Sequence, residues 1–177
     1  GDAITTGSDN VALGYNSLTS NTIGNSNVAI GKDSMITNVA ADRNVAVGLG
    51  TLQNMTSATT TDTYNTAVGY AAGTAVTTGV QNVLLGGSAG DSLTSANNNV
   101  AIGYNAMGSE DTGDGSTAVG HSALAAMNYD GYAHNTAIGY HAGKEITSGI
   151  KNTITGGLAG DAITDGTENT VCGYFAL

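Results

Sequence analysis

The chain has no proline and no tryptophan, one cysteine, one phenylalanine, and only four basic residues among 177. Each scarcity excludes something. The single thiol, Cys172, cannot close an intrachain disulfide, so cysteine usage says nothing of redox compartment. Four Lys and Arg stand against 14 Asp and Glu, a formal net charge of −10. Nucleic acid is therefore not expected as a partner, because neutralising phosphates needs clustered bases. No apolar run is long enough to enter a bilayer as a helix, and membrane insertion is not expected. Ile, Leu, Val and Phe make up about 19% of the chain, just under the level associated with disorder. Disorder also requires dense charge, and charged residues are only 10%. A regular but core-poor chain must bury surface by stacking, coil on coil and chain on chain.

What the chain has instead is a short period. The phrase Asn10-Val-Ala-Leu-Gly14 returns ten times, with copies beginning at Asn10, Asn27, Asn44, Asn65, Asn82, Asn99, Ser116, Asn135, Asn152 and Asn169. The steps are 17 residues except for one of 21 and one of 19. A fixed short period over a whole chain marks a stacked repeat architecture. The expected fold is all-β: a parallel β-roll or β-solenoid of about ten coils over residues 1–177. At ~4.8 Å per coil the column would be roughly 50 Å long.

Each repeat position makes its own demand. Position two is β-branched in every copy, Val11 and Val28 in the first coils, Thr153 and Thr170 in the last. Position four is Leu, Ile or Val in eight copies, then Thr155 and Cys172. Alternate β-branched residues read as a strand with positions two and four on one face. Position three, Ala except for Leu84, Ile154 and Val171, points to the other. A reverse face of small apolar residues implies a strand buried on both sides, with the alanine backs hidden by sister chains. Position four would then face the core, Cys172 with it, as an inert thiol. Position five is glycine throughout, at Gly14, Gly31, Gly48, Gly69, Gly86, Gly103, Gly120, Gly139, Gly156 and Gly173. Such a corner requires positive φ or excludes a Cβ. The Asn at position one can bond its own turn and ladder onto the Asn of the next coil. Small residues at position eight and Leu, Met or Gly at position nine suggest a second short strand per coil. Both extra-long steps fall in the polar remainder, across 53–64 and 125–134, which marks the outer face.

A slower period overlies the fast one. Asn65–Gly73 matches Asn135–Gly143, and Gly86–Asp91 matches Gly156–Asp161, both offset by 70 residues. A four-coil block, 44–115, has been duplicated as 116–177. Gly1–Thr5 matches Gly160–Thr164 and the last copy stops at Leu177, so the chain reads as an excerpt of a longer array.

The wording Asn-x-Ala-(Val/Ile)-Gly-x-x-(Ala/Ser), at 27–34, 99–106 and 135–142, resembles the head repeats of trimeric autotransporter adhesins. It is equally similar to the Asn-Thr-Ala-Val-Gly-Tyr-x-Ala-Leu arrays of phage tail fibres, which 169–177 nearly repeats. The resemblance implies a homotrimeric parallel β-roll, extracellular on a virion tail or cell surface, that carries or performs attachment to a host glycan or protein receptor. The adhesin repeat is shorter than 17 residues, and the frequent Tyr at position six (Tyr15, Tyr70, Tyr104, Tyr140, Tyr174) leans towards the fibre version.

Candidate chemistry is sparse. His121, His134 and His141 lack metal-ligand or triad spacing and read as surface or corner residues. No nucleophile elbow is present, so no enzyme activity and no cofactor is expected. Glu110, Asp111 and Asp114 form the densest acidic cluster, a weak calcium candidate that reads as a solvated loop. Tyr129, Asp130, Tyr132 and His134 lie on the second long loop, where rings beside a carboxylate suit a sugar. The plainer reading packs these tyrosines on the rod. The position-six tyrosines are expected to stack on one another between coils. Ice binding would need a regular Thr-x-Thr grid, and the variable stretches at 19–22, 36–39 and 108–111 do not supply one.

Overall fold

The structure is a computed structural model that describes residues 3–177; Gly1 and Asp2 of the opening match lie outside the described residues. Ten three-residue strands build one parallel sheet: β1 (Val11–Leu13), β2 (Val28–Ile30), β4 (Val45–Val47), β6 (Thr66–Val68), β7 (Val83–Leu85), β8 (Val100–Ile102), β9 (Thr117–Val119), β10 (Thr136–Ile138), β11 (Thr153–Thr155) and β12 (Thr170–Cys172). A two-stranded sheet pairs β3 (Ala41–Asp42) with β5 (Thr61–Asp62). No helix occurs among the described residues. Every pairing in the ten-stranded sheet matches like position to like position, as in Val83↔Val100. The long steps leave this register untouched, with Val45 opposite Thr66 and Thr117 opposite Thr136. The fold is thus the expected parallel solenoid, one rung per repeat.

The two faces of the strand are assigned the other way from the sequence expectation. Position three is inside: Ala29, Ala46, Ala67, Ala101, Ala118 and Ala137 are fully buried by the chain's own coil. Positions two and four face out. The reason is width. Across the narrow interior, Leu18, Met35, Leu52, Met107 and Leu124 at position nine reach in and leave room for one methyl group. Where the third residue is Leu84 or Ile154, the ninth residue of its own coil and of the preceding one is glycine. Leu84 lays one methyl against Gly73 and the other against Gly90, so close that a Cβ on either glycine would sit 2.6 or 2.7 Å from it. Ile154 fills the space over Gly143 and Gly160 in the same way. Cys172, on the outward face, is exposed rather than core-facing.

The rest of each coil is turns, and positions eight and nine form no second strand. They are still buried, but position nine is left-handed (Leu18 φ 50°, Met35 φ 49°), which breaks any strand there. Position five adopts φ between 127° and 141°, territory open to glycine alone. A Cβ on Gly103 would also meet the Gly120 carbonyl oxygen at 2.5 Å.

Two side-chain ladders bind the rungs. At position one, Asn27 Oδ1 accepts the backbone N–H of Asn44 at 3.0 Å, while its Nδ2 donates to the Ala41 carbonyl at 2.8 Å across its own coil. The buried row from Asn27 to Asn152 repeats this, with Ser116 standing in once. A second ladder runs the opposite way at position sixteen. Asp42 Oδ1 accepts the Asn25 backbone N–H and Asp114 Oδ1 that of Asn97, each at 2.6 Å. This second ladder is confined to Ser8–Asn25–Asp42 and Val80–Asn97–Asp114, whereas the position-one row runs through the array.

Candidate functional site

Three surface features are candidates, and the outward sheet face is the largest. Positions two and four of the ten strands form a flat strip of Val, Ile, Leu and Thr running the length of the column. Val68 is 39% and Ile138 43% exposed even in mid-array. The strip measures roughly 45 Å by 10 Å, a footprint on the order of 400 Å², comparable with the largest apolar patch of an ordinary monomer, which is often functional. Only β11 carries Thr at both outward positions, Thr153 and Thr155, so this face is no regular Thr-x-Thr grid either.

An aromatic column borders the strip at position six. His121 lies between Tyr104 and Tyr140, its ring centroid 5.3 Å from each, and His141 stacks on Tyr140 at 3.9 Å. The tyrosines therefore meet through a histidine rather than stacking on one another. Where position six is Gly87 or Gly157, the next tyrosine leans over it, with Tyr104 and Tyr174 ring carbons 3.4 and 3.5 Å from where a Cβ would be. Partial burial, then the Lys144 charge and the nearby His121, hold the His141 imidazole below its usual pKa. The tyrosines of the column stay more than half exposed, Tyr104 at 59% and Tyr140 at 54%.

No protein-family model, curated protein or solved structure matches the chain. Its candidate site rests on its own geometry.

The two long loops are the third feature, and they emerge at the same corner. The first pairs through β5 with β3, and the second bridges Tyr132 to Asp114, both against the preceding coil at positions fifteen and sixteen. Of the four sugar-site candidates the structure brings two together: Tyr132 and His134 stack at 5.6 Å with an 11° interplanar angle. Tyr132 is 66% exposed. Tyr129 packs on the core instead, and Asp130 accepts the Thr112 hydroxyl. The first loop holds a counterpart that the sequence reading missed. Arg43 pairs with Asp62 and lies 5.8 Å from the Tyr64 ring, and the Tyr64 hydroxyl donates to Asp62 at 3.0 Å. Tyr64 and His134 both immediately precede the position-one Asn, and that shared place was the available signal.

The acidic cluster is dispersed. Asp111 accepts the Thr94 hydroxyl and Asp114 the Asn97 amide, while Glu110, expected on a solvated loop, is fully buried inside the column. The physical reason is its place in the repeat. Glu110 holds position twelve, where Leu93 and Met127 are the buried residues of the flanking coils. No group of three or more His, Cys, Asp or Glu able to hold a metal ion, and no pocket, occurs among the described residues. No helix among them is long and apolar enough to cross a membrane.

Proposed function

We propose that this chain is a rod-forming section of a fibrous homotrimer that spaces and supports attachment to a host surface, as a phage tail fibre does. The observation that carries the reading is the outward sheet face, lined by Val, Ile, Leu and Thr and interrupted across its full width as an apolar surface only at Thr153 and Thr155 of β11. One chain cannot cover it, and three copies facing a common axis would. The small-residue backs lie inside each chain, so the sister molecules cover positions two and four. Association would also seal the sheet margins against stray pairing. The resemblance of the repeat wording to tail-fibre arrays points to the virion context; the head of a trimeric bacterial surface adhesin is the alternative. In both, the protein is extracellular and acts without catalysis or cofactor. The corner loops, with Tyr132 and His134 on one and Tyr64 on the other, are the surface that meets a glycan or protein receptor.

The test is solution mass by light scattering. The expected value is three times the 17.4 kDa chain mass. Leu85→Asp with Ile102→Asp on neighbouring strands should return a folded single chain. A wild-type protein with the mass of one chain would overturn the trimer.

A further inference from the structure

Glu110 is an acid at a buried position that otherwise carries an apolar side chain such as Leu93 or Met127, or the neutral amide of Asn21 or Asn38. It is 0% exposed, and its Oε2 is the buried side-chain atom left without a hydrogen-bond partner among the described residues. Its Oε1 accepts the backbone N–H of Asp111 at 3.1 Å and of Gly113 at 2.8 Å. The same three-residue turn occurs at Asn38, whose Oδ1 accepts the Ala41 N–H at 3.0 Å. Asn38 presents a neutral amide that also donates to Asn21 and to the Ala41 carbonyl, and Glu110 has no such outlet.

What this turn carries sets Glu110 apart. Gly113 is pinched between the Glu110 carboxyl and the Tyr129 carbonyl, so that a Cβ there would meet them at 2.6 and 2.5 Å. The next residue, Asp114, donates its N–H to the Gly131 carbonyl at 2.8 Å and accepts the Ala133 N–H at 3.2 Å. Thr112 holds Asp130. Every hydrogen bond named here between the sixth coil and the exposed tip of the second loop springs from the turn that Glu110 closes.

We propose that Glu110 is a proton-controlled latch beneath the Tyr129–His134 loop. With a proton on Oε2 the carboxyl is neutral and the turn stays closed on the column. Loss of that proton leaves a buried carboxylate with only one oxygen solvated by amides, and the 110–114 turn loosens to admit water, releasing the loop. Burial holds the Glu110 carboxyl above its ordinary pKa of 4.5, and the amides of Gly113, Tyr129, Asp111 and Thr112 offset part of that rise. The titratable groups around it are Asp111 and Asp114 on its own coil, engaged outward with Thr94 and Asn97, and Tyr129, Asp130 and His134 on the next. None is a Lys or Arg that would hold the carboxylate. The sign follows from linkage. A raised folded-state pKa means full stability below about 4.5, lost as pH climbs through the folded value.

Two measurements test it on the full chain. The chain has three glutamates, Glu110, Glu145 and Glu168. Side-chain carboxyl NMR of protein labelled with ¹³C-glutamate should show one signal titrating well above the other two. Thermal midpoints should fall with rising pH more steeply in wild type than in Glu110→Gln, the difference amounting to roughly 3–5 °C per pH unit within the window. Asp91, whose carboxyl burial also holds above its ordinary pKa, and His141 shift the wild type and the variant alike, so the difference isolates Glu110. Amide exchange of Asp114 and Ala133, corrected for its intrinsic pH dependence, should quicken over the same window in wild type alone, with β2 and β4 unchanged. Three glutamates titrating together, or parallel melting profiles for wild type and Glu110→Gln, would overturn the latch. If the variant does not fold, the wild-type titration decides.

Discussion

Asn65 Oδ1 receives two hydrogen bonds from Asn82, one from its backbone N–H at 3.0 Å and one from its Nδ2 at 3.1 Å. Asn82 in turn donates to the Ala96 carbonyl at 2.8 Å and accepts the Asn99 N–H at 3.0 Å. Asn82→Ala therefore strands the Ala96 carbonyl and the Asn99 N–H on two successive coils and removes one of the two bonds to Asn65 Oδ1. The expected loss is about 2–4 kcal/mol, read as a lower urea midpoint at unchanged slope. A loss below about 0.5 kcal/mol would mean that the Asn row is decorative.

Glycine is needed at Gly103 and not at Gly87. Gly103 sits at φ 130° with the Gly120 carbonyl in the way, so Gly103→Ala should cost about 3 kcal/mol or more. At Gly87 an added Cβ meets only the Tyr104 ring at 3.4 Å, and the ring can swing aside. Gly87→Ala should move the thermal midpoint by no more than about 2 °C, and equal effects at the two sites would contradict the corner geometry.

Tyr129 and Tyr132 should separate folding from recognition. Tyr129→Ala removes a ring packed on the core and should destabilise by about 1–3 kcal/mol. Tyr132→Ala removes an exposed ring and should leave stability within about 0.5 kcal/mol. If the loop recognises a glycan, array binding should disappear in Tyr132→Ala with the fold intact. Undiminished binding would move recognition elsewhere.

Cys172 reports on the trimer axis. It stands outward on β12 at position four, so in the proposed assembly three thiols surround the axis. Mild oxidation should trap one disulfide-linked pair and leave the third chain free, a two-to-one band ratio on a non-reducing gel. A disulfide needs Cα atoms within about 7 Å, so failure to cross-link at micromolar concentration would mean that the sheets do not converge there.

The period, the register, the corner glycines and the Asn row were all legible in the sequence, because each depends on one backbone demand repeated ten times. Which side of the strand faces inward was not. Both sides are apolar, and an alanine fits a crowded interior as well as a crowded interface. The deciding signal lay in a correlation between positions: glycine flanks Leu84 and Ile154 at position nine, which only a shared interior explains. Glu110 was hidden by its neighbours. Within an acidic run it reads as loop, whereas counted along the repeat it falls in the column of Asn38, Leu93 and Met127. The stacking of Tyr132 on His134 follows from a bridge to Asp114 that no local pattern announces.

Rungs this alike invite slippage by a whole unit during folding, since Asn, Ala and Gly would find equivalent neighbours one step along. Leu84 and Ile154 remove that degeneracy. Shifted by one rung towards the N-terminus, Leu84 would meet Leu52, where only the first methyl of an alanine has room, and Gly90 would lose the side chain that fills its gap. Two bulky residues keyed to four glycines thus proofread the alignment of an otherwise uniform column, as offset teeth index a ratchet.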